Sequence, residues 1–365
     1  MSARRPTFVI LTEGHLSLEG SKTASSALRY LPERVSAVLD SEHAGRDVSE
    51  ILGFGEGVPV VGDLEAALET RPRPEALLIG VAPQGGALPE PWHALVVRSV
   101  RAGLDVWSGL HTFLADDPEL ARLARDNDVE LRDLRRPPDD LPIATGRASE
   151  TDAFRVATVG TDSNVGKMTT SLELRRGLEA RGVTAGFAAT GQTGILVEGT
   201  GIAVDAVVSD FLAGAAERVT LEAARARERE PAPDAVLVEG QGSLLHPGYS
   251  GVTLGLLHGS MPQALVLCWM PGRSTIYGGP YDRVEIPPIE KVVALYEEAL
   301  AWVRPPGPGR VVGISCATYD LPEDEARRHV REARERTGLA VTDPIRFGVE
   351  PLVEAVVEAM EAGDG

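Results

Sequence analysis

The stretch Gly160-Thr-Asp-Ser-Asn-Val-Gly-Lys167 has the residue types and spacing of a phosphate cradle. Apolar Val156, Ala157 and Val159 end a strand just before it, and its two glycines let the backbone wrap an anion. Lys167 brings a positive charge to the point where a following helix presents unpaired N–H groups. The usual phosphate loop leaves about four residues between its first glycine and the Gly-Lys pair. Here Thr161, Asp162, Ser163, Asn164 and Val165 make five. Met168 stands where a Ser or Thr would ligate magnesium. Thr169 and Thr170 follow, each turned by about 100° on a helix, so Thr169 is the candidate metal ligand only if magnesium is used. The second chemical feature is Asp234-Ala-Val-Leu-Val-Glu-Gly-Gln-Gly242, an apolar strand ending in a carboxylate and glycines. In nucleotide-binding sheets a group such as Glu239 meets the metal or its water shell. Without a metal it caps neighbouring backbone.

Strands and helices must alternate to hold these groups. The chain has 365 residues, a length that suggests two domains. In the first part, strands are read at 7–11, 35–39, 58–61, 76–81 and 104–107, with helical stretches at 24–30, 63–70 and 91–102. This pattern predicts a Rossmann-like parallel sheet domain over 1–145. Asp40, after the second strand, has the place of a ribose ligand, yet no Gly-x-Gly-x-x-Gly follows the first strand; Gly53-Phe-Gly-Glu-Gly57 reads as a mobile turn. Ala82-Pro-Gln-Gly-Gly86 and His111 follow strand ends, where open sheets place ligand loops. Arg135-Arg-Pro-Pro-Asp-Asp-Leu-Pro142 reads as a linker. Beyond it, strands at 154–160, 183–189, 235–238, 264–269 and 311–316 alternate with helices at 166–181, 209–228, 289–302 and 322–337. A loop joins the strand at 183–189 to the helix at 209–228. The expectation is a P-loop NTPase-like, doubly wound α/β domain over 152–365.

Composition excludes some partners. With 36 basic and 54 acidic side chains the net charge is −18, which repels nucleic acid and anionic membrane. Lysine occurs three times, at Lys22, Lys167 and Lys291. Cys268 and Cys316 lie in apolar segments without metal-type spacing, as buried reduced thiols of a cytoplasmic protein do. The apolar run Phe8–Leu11 is too short for a secretory core, and no run reaches the roughly 18 residues of a membrane helix. A homo-oligomer acting on a small molecule is expected.

The loop spacing of Gly160–Lys167, with Val238-Glu-Gly-Gln-Gly-Ser-Leu-Leu245, resembles dethiobiotin synthetase and its relatives. A closer resemblance spans nearly the whole chain. It is to a two-domain prokaryotic family, some of whose members are D-glutamate N-acetyltransferases. It rests on Gly80-Val-Ala-Pro-Gln-Gly-Gly86, Ser108-Gly-Leu-His111, Gly160–Thr170 including the Lys167-Met168 pair, Ala189-Thr-Gly-Gln-Thr-Gly194, Val204-Asp-Ala-Val-Val-Ser-Asp-Phe211, Glu239-Gly-Gln-Gly242 and Gly272-Arg-Ser-Thr-Ile276. The resemblance implies an acetyl-CoA-dependent N-acyltransferase whose acceptor is a small acidic amino acid.

Coenzyme A phosphates are bound but not transferred, so their site needs N–H groups and cations and no metal poised on a leaving phosphate. Met168 is compatible with that use. Acetyl transfer further requires a base for the ammonium group, a polarised thioester carbonyl and cations for the acceptor's carboxylates. Glu239 or Asp210 is the candidate base, Asp205 and Asp210 having helix-start capping as their alternative. Arg273 is the candidate carboxylate clamp, and loop N–H groups or Gln192 and Thr193 face the carbonyl. His246 reads as a satisfied loop histidine. The alternatives are an ATP- and magnesium-dependent ligase or kinase, with Thr169 and Glu239 at the metal, and a nucleotide-sensing binding protein.

Overall fold

The computed structural model describes residues 5–18, 20–81, 88–225, 231–303 and 309–363. The chain forms two compact units. One comprises residues 1–137 together with 192–206, the other 138–191 with 207–365.

The first unit is built on β1 (Phe8–Leu11), α1 (Lys22–Tyr30), β2 (Val35–Leu39), α2 (Ser49–Leu52), β3 (Val60–Val61), α3 (Leu64–Glu69), β4 (Ala76–Ile79), α4 (Glu90–Arg101), β5 (Asp105–Ser108), α5 (Pro118–Asp126) and β6 (Leu131–Asp133). Its strands are parallel in the order β3-β2-β1-β4-β5-β6, the Rossmann order with its crevice between the first and fourth strands. The central strands β1 and β4 are wholly apolar and buried, as strands covered by helices on both faces are, while edge strand β6 reads Leu-Arg-Asp and is half-buried. Val9, Leu11, Leu77, Ile79 and Val106 pack against Leu64, Val96, Val100 and Leu120 of α3, α4 and α5. Where a mobile turn is expected, Gly53, Gly55 and Gly57 all have left-handed φ and Gly57 N–H bonds Asp47 Oδ2 at 2.9 Å. The turn is therefore hydrogen-bonded into place. The loop Ala82-Pro-Gln-Gly-Gly86 lies outside the described residues.

The second unit continues with β7 (Phe154–Gly160), α6 (Lys167–Ala180) and β8 (Ala185–Ala188). After α7 (Gln192–Glu198), which belongs to the first unit, come α8 (Ser209–Ala223), β9 (Ala235–Val238), α9 (Ser250–Ser260), β10 (Ala264–Trp269), α10 (Ile289–Ala301), β11 (Arg310–Cys316), α11 (Glu323–Thr337), β12 (Ala340–Thr342) and α12 (Glu350–Gly363). The parallel sheet has the order β12-β11-β10-β7-β9-β8. Central β7 thus lies between β9 and β10, with Gly160 opposite Cys268 and Ala157 opposite Val238. Glu239 consequently follows the strand adjacent to the phosphate loop.

Three helices depart from the sequence reading, the first being α5 at 118–126, where no element is read. Residues 192–198 form α7 rather than loop, and 250–260 form α9 despite Gly251, Gly255 and Gly259. At α9 the glycines serve packing. A Cβ on Gly259 would meet Ala213 O at 2.1 Å, and one on Gly255 would meet Leu212 Cδ2 at 2.3 Å, so only glycine lets α8 and α9 approach this closely.

Candidate functional site

The phosphate loop of the second unit is shaped by its own side chains. Asn164 and Gly166 take left-handed φ of 57° and 90°, and Val165 turns inward to pack on Cys268 and Met270. Asp162, fully buried, is the organising group. Its carboxylate accepts from Ser163 N–H at 2.6 Å, Arg273 Nη1 at 3.1 Å and Tyr277 N–H at 2.8 Å. It thereby ties the loop to the segment after β10. Tyr296 of α10 supports the loop from below, its hydroxyl donating to Gly160 O at 2.7 Å and accepting from Leu244 N–H at 3.1 Å.

Lys167 opens α6 and is buried, with Nζ donating to Asp162 O at 2.7 Å. Burial, only partly offset by Cys268 and Asp162, pushes its pKa down to about 8. The approach needs glycines on either side. A Cβ on Gly160 would stand 3.1 Å from Nζ and 2.7 Å from Val165 Cγ2, and one on Gly240 would collide with Thr158 O at 1.8 Å. The first backbone amides of α6 precede the helix's own bonding, which starts with Thr170 N–H to Gly166 O, and so face the loop's concavity for an outside acceptor. Among the described residues, Thr161 Oγ1 and Ser163 Oγ are buried without a hydrogen-bond partner. Hydroxyl donors, N–H groups and an ammonium gathered at one loop suit the oxygens of a phosphate.

The hydroxyls beyond Met168 differ in position. Thr170 is buried, its Oγ1 sharing bonds with Ser315 and Cys268 beneath the loop. Thr169 and Met168 are half-buried on the first turn of α6. Glu239, 2% exposed, accepts from Thr190 N–H at 2.9 Å and Gly191 N–H at 3.0 Å through one carboxylate oxygen. It closes the turn after β8. Among the described residues no group of three or more His, Cys, Asp or Glu side chains stands together as a metal site.

The remaining candidates separate. Arg273 sits at the loop, bonded to Asp162 and to Ser163 O at 3.3 Å, with its guanidinium 5.0 Å from the centre of the Tyr277 ring. Asp210 is exposed in the first turn of α8. There its negative charge favours the helix start, while the N-cap position itself is Val208 and makes no side-chain cap. Gln192 and Thr193 open α7 in the first unit. Gln192 packs its side chain over Gly109, and Thr193 Oγ1 lies 3.4 Å from Thr23 Oγ1. Asp205, rather than capping a helix, pairs with buried Arg135, which also donates to Gly109 O at 2.6 Å. The segments 108–111, 192–193 and 205 therefore meet within that unit. His111 there is exposed, with its pKa lowered by partial burial and by Arg135.

Sequence reasoning did not find the roles of Asp162, Tyr296 and the aromatic group around His246. His246, nearly fully buried, stacks on Tyr249 at 4.2 Å and lies 4.6 Å from the ring of Tyr281. Its Nδ1 accepts from Gly248 N–H at 3.1 Å.

Together these features define a two-domain α/β protein, Rossmann-like at its N-terminal side and with a P-loop domain following. The match to family models is direct. The DUF1611 P-loop domain model covers residues 142–353, and the DUF1611_N Rossmann-like domain model covers 41–137, each described as a domain of unknown function. The chain belongs to the DUF1611 family. It is 41% identical over 284 residues to a D-glutamate N-acetyltransferase of Tritonibacter scottomollicae, covering 77% of this chain and 81% of that protein. A D-glutamate N-acetyltransferase of a Pseudoalteromonas species is 36% identical over 279 residues, covering 76% and 80%. The crystal structure of a DUF1611 family protein from Anabaena variabilis superposes with a TM-score of 0.88 at 39% identity, covering 97% of this chain and 99% of that one. No helix of the described residues is long and apolar enough to cross a membrane.

Proposed function

We propose that this chain is an N-acetyltransferase that moves the acetyl group of acetyl-CoA onto the amino group of D-glutamate, with the coenzyme A phosphates on the loop Gly160–Lys167. The observation carrying this reading is the likeness, over three quarters of the chain, to two enzymes of that name. The loop is consistent with it. Acetyl-CoA supplies an activated thioester. Lys167 and the first amides of α6 hold phosphate oxygens, the Thr161 and Ser163 hydroxyls donate to them, and Met168 costs nothing where no phosphate leaves. Arg273, committed to Asp162, adds positive charge at the rim. Of the two candidate bases, Glu239 adjoins the loop, whereas Asp210 is exposed on α8.

Pure protein incubated with acetyl-CoA and D-glutamate is expected to release free thiol, and to release less with L-glutamate. Absence of thiol release with any D- or L-amino acid overturns the proposal. Acceptor-stimulated ADP release from ATP and magnesium would move the assignment to the ligase or kinase class.

A further inference from the structure

We propose that Tyr277 is a binding residue for the acyl donor, its ring forming a shelf on which the adenine of coenzyme A stacks. The inference rests on the acetyl-transfer reading and deepens it by placing the nucleotide end of the donor. In coenzyme A a single ribose carries the adenine, a phosphate of its own and the diphosphate. Whichever of these phosphates lies on Gly160–Lys167, the base is one sugar away, whereas the thioester is at the far end of the pantetheine arm. A group fixed at the loop therefore meets the adenine and is remote from the reacting carbonyl.

Tyr277 is fixed at the loop by its backbone and left open at its side chain. Its N–H donates to Asp162 Oδ2 at 2.8 Å, the oxygen that also accepts from Arg273 Nη1. The flanking chain is held as firmly. Ile276, wholly buried, donates its N–H to Val284 O at 2.9 Å, Ile286 N–H bonds Ser274 O at 2.8 Å, and Thr275 pairs with Glu285 in an antiparallel bridge. Residues 274–286 thus make a narrow ribbon pinned to the loop's buried carboxylate. The ribbon's two tyrosines are used differently. Tyr281 packs inward, its ring 4.6 Å from that of His246, while Tyr277 is 60% exposed.

A single exposed aromatic is ordinary on a protein surface. What sets this one apart is a backbone anchored to the phosphate loop and a cation at its ring. The Arg273 guanidinium lies 5.0 Å from the ring centre while Nη1 bonds Asp162 and Ser163 O. It steadies the ring from one face, and the exposed surface remains for a flat ligand. A purine offers such a face, and stacking on a phenol ring requires no pattern of donors and acceptors from the protein.

The test uses calorimetry on wild type, Tyr277→Ala and Tyr277→Phe with three probes: coenzyme A, its adenosine bisphosphate half, and phosphopantetheine, the half without adenine. The Ala variant is expected to bind coenzyme A and the adenosine half about five- to a hundredfold more weakly, the worth of one base–aromatic stack, and phosphopantetheine within about twofold of wild type. The Phe variant keeps the ring and should stay within about threefold of wild type on all three probes. Near-UV circular dichroism checks that both variants fold. A folded Ala variant that binds the adenosine half as wild type does overturns the proposal. So does one that loses phosphopantetheine equally, or a Phe variant no better than Ala. Turnover separates this inference from the functional reading. Acetyl transfer with affinities indifferent to Tyr277 removes the shelf alone, and affinities that shift as expected without any transfer remove the transferase reading alone. A wild type that binds neither coenzyme A nor its adenosine half overturns both.

Discussion

Each unit has a first strand, a glycine-containing loop and a helix start, and the two corners are finished in opposite ways. In the Rossmann-like unit β2 lies beside β1, so Asp40 at its end reaches straight across. Fully buried, its carboxylate accepts from Thr12 Oγ1 and Gly14 N–H at 3.0 Å each, from Glu42 N–H at 3.1 Å and from His43 Nδ1 at 3.0 Å. Four described donors of this corner are thereby committed to a negative group. In the P-loop unit β8 moves to the edge and β9 takes the place beside β7. The neighbouring carboxylate, Glu239, then serves the turn after β8, and the phosphate loop is braced internally by Asp162. One step in strand order thus separates a corner whose loop is drawn onto the neighbouring strand's carboxylate from one braced by a carboxylate of its own loop.

The largest effect expected from this contrast is on folding. Gly240→Ala drives a Cβ to 1.8 Å from Thr158 O, where neither backbone can yield cheaply. The expected loss is about 3 kcal/mol, the upper end of what overpacking costs, read as a lower denaturant midpoint. A loss below about 1 kcal/mol would mean that the strand–loop packing next to Lys167 is loose enough to admit a methyl group. Next is Lys167→Ala, which removes the loop's ammonium. Charge-assisted hydrogen bonds of about 1.5–3 kcal/mol translate to a weakening of acetyl-CoA binding by roughly ten- to a hundredfold, measured by calorimetry. Unchanged affinity would locate the phosphates elsewhere.

The β1 corner is tested by Asp40→Asn. The amide turns one acceptor oxygen into a donor facing groups that themselves donate, so two of the four partners lose their acceptor. About 1–3 kcal/mol of stability should go, while acetyl-CoA affinity should hold within about twofold. A variant of unchanged stability would show that these bonds hold the corner weakly, and one that loses affinity with its fold intact would show that the β1 corner handles the anion after all.

The two corners also differ in how much of them can be read from residues alone. Gly160, Gly166, Lys167 and the carboxylate of Glu239 are legible because loop chemistry demands those types at local spacings, and the strands around them emerge from continuous apolar runs. Asp162 looks like one more loop residue until Arg273 and Tyr277, more than a hundred positions later, are folded onto it. Tyr296 reaches Gly160 from a helix whose periodicity reports burial but not the target of a hydroxyl. Helix α9 is hidden by glycines whose low helix propensity is overridden by contact with α8. Helix α7 is short and begins Gln-Thr-Gly, too little for a period to declare itself. Its membership of the first unit is a property of chain routing, which local pattern does not encode.

The smallest and sharpest prediction concerns protons. Burial depresses the Lys167 pKa to about 8, and two pH trends of opposite sign follow from one group. For ligand binding, the cation is what phosphate needs. Acetyl-CoA affinity should therefore fall as pH rises from 7.5 through 9, by at most about tenfold per unit, and Lys167→Arg should flatten the slope because arginine stays charged. For folding without ligand the sign reverses. Between about pH 8 and the ordinary lysine range near 10.5 the unfolded chain keeps a proton that the folded chain has released, and stability rises with pH wherever the unfolded state binds more protons. Urea midpoints of wild type should gain on those of Lys167→Met across that window, while the affinity of wild type declines across its lower part. Parallel midpoint curves would show that Lys167 titrates like an exposed lysine, and the cradle would then be open to water, much as the β1 corner is not.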